Sequence, residues 1–177
     1  FLEGVTGVSV STLSLMLLGL GLAGFIGTFL IERFMGRGLY RTLTIIPLIM
    51  AAIALALVSF GKSPVLTAML LGLWGLVATA APVGWWTWLA QTLPDDAEAG
   101  GGLLVAIVQL AIAGGAIIGG LAFDLSGYKA TFELSAAVLV VASVLAWLAG
   151  RSATEVHLVE PTAHSSAVSG APESRFV

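Results

Sequence analysis

Charged residues are missing from five long windows of the chain, 4–31, 42–61, 63–94, 99–123 and 134–150. The twelve charges that precede residue 151 sit in the gaps between these windows or at Glu3. Each window is close to or above the roughly 20 apolar residues an α-helix needs to cross a hydrocarbon layer. A Lys, Arg or Asp at mid-helix costs about 2.5–3.5 kcal/mol on insertion, so a bilayer imposes this kind of confinement. A soluble core helix would instead back its apolar stripe with charge. The pattern predicts an all-α, polytopic transmembrane helical bundle. Its five spans fall at about 10–31, 42–60, 65–89, 102–123 and 131–149, after a short external segment 1–9.

Breaks within the pattern sharpen the reading. Gly61-Lys62-Ser63-Pro64 is a turn, and Pro94 with Asp95, Asp96 and Glu98 suits the start of a helix. Pro82 removes an N–H inside the third span, so a bend is expected near Ala78. Asp124 to Lys129 turns the chain into the fifth span. From Arg151 to Val177 the composition is Ser, Ala, Thr, Pro and Glu, which reads as a disordered tail. His157 and His164 lie there and are given no role.

Composition narrows the function. The chain is 58% hydrophobic and 10% charged, against about 25% charged for an average soluble domain. Cysteine is absent, which removes thiolate metal sites and cysteine nucleophiles. The spans hold no buried acid–base pair, nucleophile–histidine pair or metal cluster, so neither an enzyme nor a cofactor is expected. Nothing basic or aromatic enough for nucleic acid is present. Arg33, Arg37, Arg41, Arg151 and Arg175 fall on one side of a five-span layout, and Lys62 and Lys129 on the other. The positive-inside rule then places the arginine loop and the C-terminus in the cytoplasm. A chain opening on Phe1-Leu2-Glu3 reads as a fragment whose first part is missing.

Several side chains could carry chemistry. Trp74, Ala78, Ala81, Trp85 and Trp88 recur in steps of three and four and share one helix face. Trp85, Trp86 and Trp88 also fit an interfacial aromatic belt, whereas Trp74 and Thr79 lie deeper. Gln109 is an amide well inside the fourth span and needs partners. It suits either a substrate or an interhelical hydrogen bond. Trp74, Thr79, Trp85 and Gln109 are therefore the expected cavity residues for a ring-bearing polar solute. Ala111, Gly115 and Gly119, like Gly19, Ala23 and Gly27, form small-residue strips for helix packing, which moving helices would use as well. Glu32 with Arg33, Arg37 and Arg41 could form breakable ion pairs between two helices, or serve only as topogenic charge.

Gly27…Glu32-Arg33-Phe34-Met35-Gly36-Arg37 resembles the G-x-x-x-D-R-x-G-R-R loop of the major facilitator superfamily, with Glu in place of Asp and altered spacing. Trp74-Gly75-Leu76 with Pro82-Val83-Gly84-Trp85-Trp86-Thr87-Trp88, and Gly101 to Ala111 with Gly114-Gly115, Gly119-Gly120 and Asp124, resemble the last helices of purine ribonucleoside efflux permeases. These belong to the drug-type proton antiporter branch. The resemblance implies helices 8–12 of a twelve-helix transporter, with residues 1–4 ending helix 7 and an N-terminal half elsewhere. It implies proton-driven export from a bacterial inner membrane. Gly27, Glu32, Arg33, Gly36 and Arg37 would form the cytoplasmic gate. The partners implied are a small-molecule substrate, protons, the lipid bilayer and the missing half. Multidrug or sugar efflux on the same scaffold, and a non-transporting structural membrane subunit, are the alternatives.

Overall fold

The computed structural model describes the backbone of residues 1–35 and 38–168, and the side chains of these except 32–35 and 153–168. Every regular element among the described residues is helical. A π-helical turn, Leu2–Thr6, precedes α1 (Val10–Met35), α2 (Leu39–Phe60), α3 (Pro64–Ala78), α4 (Ala80–Thr92) and α5 (Ala97–Val168). Four apolar stretches are long enough to cross a membrane: Val10–Ile31, Leu39–Phe60, Pro64–Thr92 and Ala97–Ser152. The five expected spans thus fall in four stretches among the described residues, because the last two form one continuous element of 56 residues.

That element is not straight. Gly127 takes φ 76° and ψ −176°, outside the helical region and open essentially to glycine alone. The Thr131 hydroxyl donates to the Gly119 carbonyl at 3.3 Å, although the two lie twelve positions apart. A continuous helix would separate them by about 18 Å. The chain therefore doubles back at Gly127, within the turn expected at 124–129. Beyond Gly150 the helix runs on to Val168, where composition suggested a disordered tail. That run includes Pro161, which supplies no N–H to the helix ladder, and nothing in the local composition explains its continuation. Residues 169–177 lie outside the described residues.

The contacts define two ends of the bundle. At one end the Trp88 indole N–H donates to Tyr40 Oη at 3.1 Å, and Gly150 backs onto the Tyr40 side chain. At the other end Phe1 lies 5.1 Å from the Tyr128 ring and 5.2 Å from Phe132. There Thr6 and Thr67 both donate to the Gly61 carbonyl, a helix-end acceptor that would otherwise lack a partner.

Large apolar side chains cover much of the outside of the bundle. Ala54 is 0% exposed and Ala51, Ala80 and Ala136 are buried with it, whereas Leu110 is 73% exposed and Leu15, Phe25 and Ile117 also face outward. Leu43, Ile46, Ile53 and Leu57 are buried with the alanines, so large apolar residues occupy both the contacts and the outer surface, as lipid as solvent allows. The described chain is an all-helical membrane protein.

Candidate functional site

The sharpest irregularity at membrane depth is the elbow between α3 and α4. Pro82 cannot donate to the Ala78 carbonyl, and the helix breaks one residue on, at Thr79. The Thr79 backbone N–H turns to the Val77 carbonyl. Its hydroxyl donates to the Gly24 carbonyl of α1 at 2.9 Å and to Gly75 at 3.3 Å. The interruption falls three residues before Pro82, at Thr79, whose backbone stays in the right-handed helical region (φ −71°, ψ −17°) and whose hydroxyl ties it to α1.

Glycine makes that tie possible. A methyl group placed at Gly27 would collide with the Leu76 carbonyl, lying 2.8 Å from its carbon. One at Gly75 would meet the Leu20 carbonyl, and one at Gly24 would stand 3.0 Å from Thr79 Cγ2. The backbones of α1 and α3 touch directly. Gly27 belongs to the strip read from sequence, but Gly19 of the same strip has open space around it, and its place in the crossing is taken by Gly24.

Beside the elbow, α1 and α2 splay around α3 and leave a cleft of about 430 Å³. Its walls are apolar, from Leu30, Ile31, Ile45 and Leu76, and Arg41 and Thr42 stand at one end. Gly27 lines this cleft. Trp74, Thr79, Trp85 and Gln109 are not among its lining residues.

Each of the four has its own setting. Trp74 packs on the Ala51–Ala54–Ala136 cluster beside Phe132 and Leu139. Thr79 faces the opposite way, toward α1. Trp85 is 40% exposed and meets the Trp88 ring edge-on at 5.9 Å. Gln109 is exposed on the limb 97–126, with no hydrogen-bond partner among the described residues. Of the packing glycines, Gly119 faces the Thr131 methyl at 3.8 Å and Gly115 has no neighbour within 4 Å. Of the expected gate, Gly27 is placed as above; the side chains of Glu32 and Arg33, and all of Gly36 and Arg37, lie outside the described residues. Sequence reasoning missed Tyr40, Gly24 and Gly75. Their role is tertiary, and only small-residue content hinted at the glycines. Among the described residues no three His, Asp or Glu side chains converge as a metal site.

Comparison with known proteins corrects the resemblance drawn from the motifs. The transcription regulatory protein OpdE of Pseudomonas aeruginosa is 57% identical over 152 residues, 86% of this chain and 38% of its own. The purine ribonucleoside efflux pump NepI of Shigella sonnei is 40% identical over 146 residues, covering 79% of this chain and 37% of the pump. NepI of Escherichia coli K12 is 38% identical over 141 residues, 80% of this chain and 36% of that pump. A protein with a regulatory name is thus more similar than these pumps, so purine ribonucleoside efflux permeases are not the nearest resemblance. No family model matches the chain, and membership of the major facilitator superfamily is not carried forward. No solved structure matches it either. The chain spans little more than a third of the length of the curated relatives it matches. What remains is an apolar helical bundle similar to part of known efflux pumps.

Proposed function

We propose that this chain is part of a membrane transporter that exports a small polar solute, with ribonucleosides as the first class to test. The observation that carries this reading is similarity at 38–40% identity to efflux pumps, spread over about four-fifths of the chain. The geometry supports it in two ways. A broken helix at bilayer depth leaves backbone groups that persist only within protein or beside water. A glycine-lined crossing lets two helices change contact without large side chains interlocking.

Of the four expected cavity residues, Trp74 and Thr79 are engaged in packing, while Trp85 and Gln109 remain open to a solute. Gln109 lies about 12 Å into the apolar run that begins at Gly101. An unpaired amide in hydrocarbon costs several kcal/mol, so that face meets water, solute or another part of the transporter. In this reading Gln109 hydrogen-bonds a polar ring substituent and Trp85 offers a stacking face. Coupling to inward proton flow and alternating access complete the proposal, with the Arg41 end of the bundle in the cytoplasm.

A second reading comes from the regulatory name of the 57% identical relative. Seven Lys and Arg in 177 residues, against ten Asp and Glu, offer no basic face for DNA. Regulation would then follow from the solute that the protein removes from the cytoplasm.

The test is efflux of preloaded radiolabelled inosine from cells expressing the intact protein, with Gln109→Leu as the variant. Retention should rise toward the vector control in the variant while membrane abundance stays the same. Export by the variant at the wild-type rate would remove Gln109 from the pathway. No export of inosine by the wild type would refute the ribonucleoside reading.

A further inference from the structure

A second cleft of about 430 Å³ lies where α2 begins and the apolar part of α5 ends. Tyr40, Arg41, Trp147, Gly150 and Arg151 line it. Its form follows from packing. Gly150 has no side chain, so α5 comes close to α2, and a methyl there would stand 2.9 Å from Tyr40 Cβ. The Trp88 indole N–H fixes the far end of the same tyrosine at 3.1 Å. Arg151 lies with its guanidinium carbon 4.7 Å from the centre of the Trp147 ring, which holds the cation at the rim of the cleft.

Neither Arg41 nor Arg151 pairs with an acid among the described residues. Both are exposed, and both stand at the ends of apolar helices long enough to cross a bilayer. Two guanidinium groups with no acidic partner among the described residues, beside Trp and Tyr at the ends of apolar helices, suit an anion. Arginine binds phosphate through a planar fork of donors, and Trp and Tyr prefer the membrane interface. Arg41 also closes one end of the apolar cleft between α1 and α2, whose walls include Ile45 and Leu76. One residue therefore joins a cationic pocket to a groove that accepts hydrocarbon.

We propose that Arg41 and Arg151 form a binding site for the phosphate headgroup of an anionic phospholipid, with an acyl chain lying along the apolar groove at Ile45. Basic pockets between transmembrane helices are where such headgroups bind. The inference does not depend on the transported solute or on transport itself.

Native mass spectrometry of the intact protein, released from detergent with phosphatidylglycerol or phosphatidylcholine, reads the site directly. Wild type should retain phosphatidylglycerol at least about tenfold better than phosphatidylcholine, from the attraction of two basic groups. Arg41→Gln with Arg151→Gln should cut phosphatidylglycerol retention at least about tenfold, to the phosphatidylcholine level, and leave phosphatidylcholine unchanged. Lys62→Gln with Lys129→Gln removes equal charge at the other end and should change neither. The Arg41→Lys, Arg151→Lys pair should keep most of the preference, which guards against a folding artefact in the glutamine variant. Equal retention of both lipids by wild type would overturn the proposal. So would an equal loss in the lysine-to-glutamine control, or displacement of the lipid by millimolar inorganic phosphate.

Discussion

Adding one methyl group at Gly27 perturbs the closest helix contact in the bundle. The new carbon would lie 2.8 Å from the carbonyl carbon of Leu76, where about 3.5–4.0 Å is comfortable. The missing distance, roughly 0.7–1.2 Å, cannot be absorbed by a rotamer change, because the obstacle is backbone. The helices α1 and α3 must separate, at about 1–3 kcal/mol for overpacking. Separation also weakens the Thr79–Gly24 hydrogen bond, worth about 0.6 kcal/mol in a membrane bundle. Against this, replacing a helical glycine by alanine gains up to about 1 kcal/mol. The net expectation for Gly27→Ala is a loss of about 0.6–3.6 kcal/mol. Gly19→Ala, on the same helix with open space around it, should be neutral or gain up to about 1 kcal/mol. Unfolding of the intact protein by SDS titration in mixed micelles compares the two. Coincident midpoints for these variants would refute the backbone contact between α1 and α3.

Two further substitutions probe the bundle's ends. In a double-mutant cycle, Tyr40→Phe and Trp88→Phe should show a coupling of about 0.6 kcal/mol in the same titration, and zero coupling would mean that the indole–phenol bond is not made. Gly127→Ala forces a side chain into backbone angles that only glycine tolerates and should cost about 1–3 kcal/mol. Gly114→Ala, helical and uncrowded, should cost nothing, so equal effects of the two would argue against the reversal at Gly127.

Much of this fold can be read from where charge is absent. The spans read at about 10–31 and 42–60 lie within the apolar stretches Val10–Ile31 and Leu39–Phe60, and lipid penalises a charge at mid-span. The elbow at Thr79 was equally legible, since Pro82 lacks an N–H whatever surrounds it. Which neighbour a face meets was not. The spacing of Trp74 and Trp88 marked a common face, and that face packs on α2, with Trp74 on Ala51 and Ala54 and Trp88 on Tyr40. Periodicity fixes direction around a helix and is silent about what lies opposite. Gly19 and Gly27 looked alike for the same reason, yet only Gly27 meets another backbone. The motif-level likeness also overreached, since shared Gly-rich and Trp-rich helices did not identify the more similar relative.

The most direct test concerns how often the backbone crosses the bilayer. This chain contributes no cysteine of its own, so single cysteines at Lys62, Asp95, Ser126 and Ser152 of the intact protein, in a cysteine-free background, report on it alone. An impermeant maleimide is then applied to right-side-out and inverted membrane vesicles. Positions 62 and 126 should label from one face, and 95 and 152 from the other. Labelling of 126 and 152 from the same face would contradict the reversal at Gly127 and the five-pass bundle built on it.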